Sequence, residues 1–182
     1  MNIKKQSTCE TCLPICLMAL LKDKNIKVNN NEEINILIEG LKFTDLDYST
    51  GQVVYTCKKY KIVAEQYIDN IFYYKILSKL KYPNNMKLIN KKIDRNFLIE
   101  MINISPIIIY VDNYYLGRIS TYPHLKPHYP HFIILTKFNK RSCRYLDPIT
   151  GKEEKMKTEL LIRSIQSLRN KMKICPKVII IK

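Results

Sequence analysis

The apolar run from Leu13 to Leu21 carries no polar position on any side. A helix that is hydrophobic all round is buried among other elements, and Pro14 falls where a first turn tolerates it, so the run predicts a buried helix. Apolar residues at helical spacing follow twice more. Asn30 or Asn31 can cap a helix through Ile38, and Ser49 can cap one through Tyr60. Ile62 to Ile68 then predicts a short strand, while Tyr73 to Leu80 and Asp94 to Ile104 predict helices, the second capped by Asp94.

After Pro106 the pattern changes from helical spacing to short β-branched and aromatic runs bounded by turn residues. Pro106–Val111, Phe132–Phe138, Cys143–Leu146 and Val178–Ile181 predict strands, and the run from Asn139 to Ser142 predicts a hairpin turn. Glu159 to Leu168 predicts one late helix. The expected class is therefore α+β, an N-terminal helical half packed on a C-terminal antiparallel β-sheet, with a cleft between the halves. With four glycines, no repeat and no Pro/Gly/Ser linker, residues 1–182 are expected to form one domain.

Composition fits that expectation and narrows the function. The chain is 46% hydrophobic and 26% charged, the balance of a globular protein with its own core. Lys plus Arg 31 against Asp plus Glu 16 gives a formal charge of +15, which favours an acidic partner. The lysines are scattered, and no zinc-finger, helix-turn-helix or RNA-recognition pattern occurs, so specific nucleic-acid binding is not expected. No stretch reaches the ~20 apolar residues that span a bilayer. Lys4 and Lys5 ahead of the first apolar run imitate a signal peptide, but polar residues intervene and no small-residue cleavage site follows. Six cysteines, three of them crowded at Cys9, Cys12 and Cys16, look unlike a disulfide scaffold and point to a reduced, cytoplasmic chain.

One of those cysteines has the surroundings of a nucleophile. Cys12 opens the first predicted helix, where free backbone amides and the helix dipole stabilise a thiolate. Gln6, six residues upstream, can donate its side-chain amide to an oxyanion alongside the Cys12 backbone amide. Of the three histidines, His124 and His128 lie in a Pro-broken loop, whereas His131 opens a predicted strand and is held rigidly enough to act as a base. Asp147 ends the paired strand and can orient that ring.

Gln6-Ser7-Thr8-Cys9-Glu10-Thr11-Cys12 followed by Cys16-Leu17, then Pro106 to Asp112, then His131 to Leu135 with Leu146-Asp147-Pro148 and Gly151, resembles the bacteriocin-processing (double-glycine leader) peptidase family and its stand-alone papain-like relatives. The resemblance covers residues 6–22, 106–116 and 131–151. It implies a papain-like fold and a thiol protease, a hydrolase with Cys12, His131 and Asp147 as catalytic triad and Gln6 as oxyanion donor, acting on a peptide or protein substrate without cofactor or metal. Leu13 stands where that family often has Gly, and these 182 residues hold no stretch that reads as a transporter portion.

Rival readings start from the same residues. The acyl-enzyme could pass to an amine, making an acyltransferase, or the domain could be an inactive papain-like binding module. Cys9-x-x-Cys12 could be a redox pair or half a zinc site, and Cys9 could itself be the nucleophile. Asp112 competes with Asp147 as orienter. Cys16, Cys57, Cys143 and Cys175 read as core residues. The tyrosines at 110, 114, 115, 122 and 129 read mostly as filling, with some of them available to line a substrate groove.

Overall fold

A computed structural model describes residues 1–44, 46–117 and 127–182. The apolar run becomes α1 (Cys12–Asp23), followed by α2 (Glu32–Phe43), α3 (Tyr48–Tyr60), β1 (Ala64–Ile68), α4 (Ile71–Leu77), β2 (Met86–Asn90) and α5 (Arg95–Ile102). Then come β3 (Ile107–Asp112), β4 (Pro130–Phe138), β5 (Ser142–Asp147), β6 (Lys152–Lys157), α6 (Thr158–Ser167) and β7 (Lys177–Ile181). The class is α+β.

All seven strands form one sheet in the order β2-β1-β7-β3-β4-β5-β6. It is mixed: β1 and β2 run parallel and every other pair is antiparallel. The parallel pair departs from the antiparallel C-terminal sheet expected from the pattern, because β1 and β2 come from the middle of the chain and are joined by a crossover through α4. One face of the sheet packs through Ile108, Tyr110, Phe132, Ile134 and Ile179 against α1 and α3, with α2 packed on those two helices. The other face packs against α5 and α6 through Ile109, Val111, Ile133, Leu135 and Val178. Covered on both sides, β3 buries all six of its residues, which is why it reads as a continuous apolar run instead of an alternation.

Helix α1 lies at the centre, with all of Cys12 to Leu21 buried. It is tied to the sheet where the Cys16 thiol donates to the Phe132 carbonyl at 3.6 Å. Beside it α2 and α3 cross at Gly40 and Gly51, so closely that a Cβ on Gly51 would stand 2.1 Å from the Gly40 carbonyl oxygen.

Several boundaries differ from the sequence expectation. The α3 cap is Asp47, whose carboxylate accepts from the Ser49 amide at 3.1 Å, and not Ser49 itself. Asn31 precedes α2 without a side-chain capping bond, whereas Asp94 caps α5 through the Phe97 amide at 3.0 Å. The Asn139–Ser142 turn forms, with Asn139 Oδ1 accepting from the amides of Arg141 and Ser142. Strands β2 and β6 have no counterpart in the pattern reading. The residues of β6, Lys-Glu-Glu-Lys-Met-Lys, resist strand prediction because such charges are what protects an exposed sheet edge.

Candidate active site

The segment before α1 is held in place residue by residue. Thr11 folds back on Thr8, its hydroxyl donating to the Thr8 carbonyl at 3.1 Å and accepting from the Thr8 amide at 3.2 Å. The Ser7 amide and hydroxyl both donate to the buried Glu33 carboxylate on α2, each at 2.7 Å. The Gln6 amide donates to the Pro148 carbonyl at 2.7 Å, in the turn after β5. That turn passes close because residue 151 is glycine: its φ is +68°, and a Cβ there would lie 3.0 Å from the Lys5 backbone nitrogen. Cys12 thus enters α1 from a segment clamped by a helix on one side and a strand-end turn on the other. Its side chain is nearly buried at 8% exposure.

His131 meets it from the sheet. The imidazole is 1% exposed, with Nε2 at 3.0 Å from Asp147 Oδ1, and Cys12 is close enough to act on its proton affinity. Nε2 faces the carboxylate, so Nδ1 is the ring nitrogen that Asp147 leaves unengaged. Burial opposes the imidazolium, but the bond to Asp147 and the nearby Cys12 outweigh it and push His131 up to about 9. The same Asp147 oxygen accepts from the Ile149 amide at 2.8 Å, and the Asp147 carbonyl accepts from the Gly151 amide at 2.8 Å. One turn therefore aims the carboxylate at His131 and holds Gln6 through Pro148.

Gln6 is buried, and its side-chain nitrogen donates to the Thr8 carbonyl at 2.8 Å. One of its two amide hydrogens is committed there, leaving the second. The other expected candidates separate from this cluster. Asp112 does not face His131: it pairs with His128 Nδ1 at 2.7 Å, accepts from the Ser167 hydroxyl at 2.6 Å and caps the turn after β3 through the Tyr114 amide at 3.1 Å. His124 and Tyr122 lie outside the described residues. Cys9 is partly exposed, and all six cysteines are free thiols. No cluster of three or more metal-ligating side chains exists among the described residues. Among them, too, no helix is long and apolar enough to cross a membrane.

A cleft of about 360 Å³ is lined by Tyr48 and Tyr110, which connect it to the site although Cys12 and His131 do not themselves line it. Tyr110, on β3, stands opposite Phe132 and stacks on it at 4.2 Å between ring centres, which places it one residue from His131 across the ladder. Tyr48, at the start of α3, reaches Glu10 at 3.4 Å. Burial first of all raises both phenols, and Cys12 is among the groups that act on each. The cleft floor is the buried pair of Lys177 and Asp47, 2.8 Å apart. Sequence reasoning singled out Tyr110 only as one of a tyrosine series, and passed over Tyr48, Lys177 and Glu33. A lone Lys in an apolar strand, Lys177 before Val178, was the available signal for a paired buried charge.

No protein-family model matches this sequence, and no curated protein resembles it closely enough to be matched.

Proposed function

We propose that the chain is a papain-like cysteine peptidase, hydrolysing a peptide or isopeptide bond through Cys12, His131, Asp147 and Gln6. One observation carries this reading: a carboxylate at a strand end bonds one nitrogen of a single buried imidazole, and a thiol at a helix mouth lies close enough to raise the proton affinity of the same ring. A lone structural histidine needs neither partner, and a ring held between both has the arrangement of nucleophile, base and orienter.

In this reading His131 Nδ1 takes the Cys12 proton and the thiolate adds to the substrate carbonyl carbon. The backbone amide of Cys12 and the remaining amide hydrogen of Gln6 hold the oxyanion. The imidazolium then protonates the leaving amine as the C–N bond breaks, leaving a thioester. Water, deprotonated by His131, attacks that thioester and returns the thiol.

Alkylation by iodoacetamide at neutral pH tests the proposal, because the other thiols are held protonated. Burial first of all raises Cys9 and Cys16, takes Cys57 and Cys143 to about 12, and takes Cys175 to about 11. Cys12 is expected to alkylate about tenfold or more faster than any of them, with the fast phase absent in Cys12→Ala and slowed in His131→Ala. A fast phase that survives Cys12→Ala sinks the proposal.

A further inference from the structure

The cleft lined by Tyr48 and Tyr110 has an uneven supply of hydrogen-bonding groups. Asp47 is its one carboxylate, and all four of its acceptor positions are occupied. Oδ1 accepts from the Ser49 amide and hydroxyl at 3.1 and 2.5 Å, and Oδ2 accepts from Thr50 Oγ1 at 2.6 Å and Lys177 Nζ at 2.8 Å. Its charge is cancelled by Lys177 and it offers a ligand nothing.

The donors are different. Lys177 spends one hydrogen on Asp47 and one on Ser49 Oγ at 2.9 Å, leaving the third between the faces of Tyr73 and Tyr110 at 5.4 and 5.6 Å. Asn70 accepts from the Tyr73 amide through Oδ1, and its Nδ2 has no hydrogen-bond partner among the described residues. Neither the Tyr110 hydroxyl nor the exposed Lys173 ammonium has one there. The Tyr48 and Tyr73 hydroxyls donate to Glu10 and the Leu46 carbonyl and keep only weak phenol acceptors, so the strong unspent groups of the cleft are donors and the one uncompensated charge on its wall is positive. Desolvating such donors without an acceptor is costly, so an oxygen-rich anionic group fits and a cation does not.

We infer that this cleft is a substrate subsite for a carboxylate, carried by a residue beside the bond that Cys12 attacks. The inference rests on the peptidase reading for its meaning. The charge of +15 draws acidic peptides towards the molecule, while Lys173, Tyr110, Asn70 and Lys177 select the carboxylate locally.

The full-length Cys12→Ala chain binds without reacting, which separates recognition from chemistry. N-acetylated, C-amidated peptides that differ only in one Glu, Gln or Lys are titrated into it by calorimetry at low ionic strength, together with the Gln peptide carrying a free C-terminal carboxylate. The Glu peptide is expected to bind about tenfold or more tighter than the Lys peptide, and Lys173→Gln to narrow that ratio about threefold. Lys173 is at the surface, so its loss leaves the fold intact, and Tyr110→Phe, which removes only a hydroxyl, is expected to weaken the Glu peptide as well. A gain confined to the free C-terminal acid assigns the carboxylate to a chain end instead of a side chain. Equal binding of Glu, Gln and Lys peptides overturns the inference, and so does a preference unchanged by both substitutions. Fast Cys12 alkylation in the wild type alongside equal binding removes the subsite alone; slow alkylation alongside an acid preference removes the peptidase reading alone.

Discussion

Replacing Asp147 with Asn keeps an oxygen where Oδ1 accepts from His131 and the Ile149 amide, and removes only the charge. His131 stands at about 9 against an ordinary 6.5. At about 1.4 kcal/mol for each pH unit, the folded protein favours the imidazolium by on the order of 3 kcal/mol. Burial works against that charge, and the Asp147 bond is the largest contribution opposing burial, ahead of that of Cys12. Asp147→Asn is therefore expected to lower the proton affinity of His131 about tenfold or more. The sign for stability follows from the raised value. This group's contribution is present in full below 6.5 and is lost as pH rises through about 9. Between about pH 6 and about pH 10 the wild type should lose on the order of 3 kcal/mol from this source, and the Asn variant clearly less. Ring-nitrogen NMR of the chain's three histidines, together with urea unfolding at both pH values, measures both quantities. A wild-type His131 that titrates near 6.5, or one unmoved by Asp147→Asn, refutes the reasoning.

Gln6→Ala should lower kcat about a hundredfold on a cleaved peptide while leaving iodoacetamide alkylation of Cys12 nearly unchanged, since alkylation forms no oxyanion; an equal loss in both assays assigns Gln6 to structure. Gly51→Ala adds a Cβ 2.1 Å from the Gly40 carbonyl oxygen, a backbone atom that cannot turn aside. Forcing α2 and α3 apart should cost about 1–3 kcal/mol by urea unfolding, despite alanine's better helix propensity. Lys177→Met leaves the Asp47 carboxylate buried without its counter-charge and should cost about 3–5 kcal/mol, with the Asp47→Asn/Lys177→Met pair recovering part of it. A double variant no more stable than Lys177→Met shows that lost packing, not the orphaned charge, sets the cost.

Much of the scaffold was readable because its signals are local. The apolar run that makes α1, the Asp94 cap, the Asn139 turn and the β-branched strands each depend on residues within a few positions of one another. Strand β6 was not readable, since an edge strand is identified by what it pairs with and its own residues are those of a solvated loop. The α3 cap went to Asp47 instead of Ser49 because that carboxylate also accepts from Lys177, some 130 positions away in the chain.

The candidate site divides in the same way. The sequence by itself determined that a cysteine opens a buried helix, that a histidine opens a strand and that an aspartate closes the next one, since helix mouths and strand ends are set by neighbouring residues. Only the tertiary structure decided which acid serves which imidazole. Asp112 and Asp147 both end strands, yet the sheet order and the turn at 147–151 bring Asp147 to His131 and leave Asp112 to His128 and α6. It alone also assembled the donor-lined cleft from α3, α4, β3 and β7, because groups so far apart in the chain are brought together by burial of the two sheet faces, which no local pattern encodes.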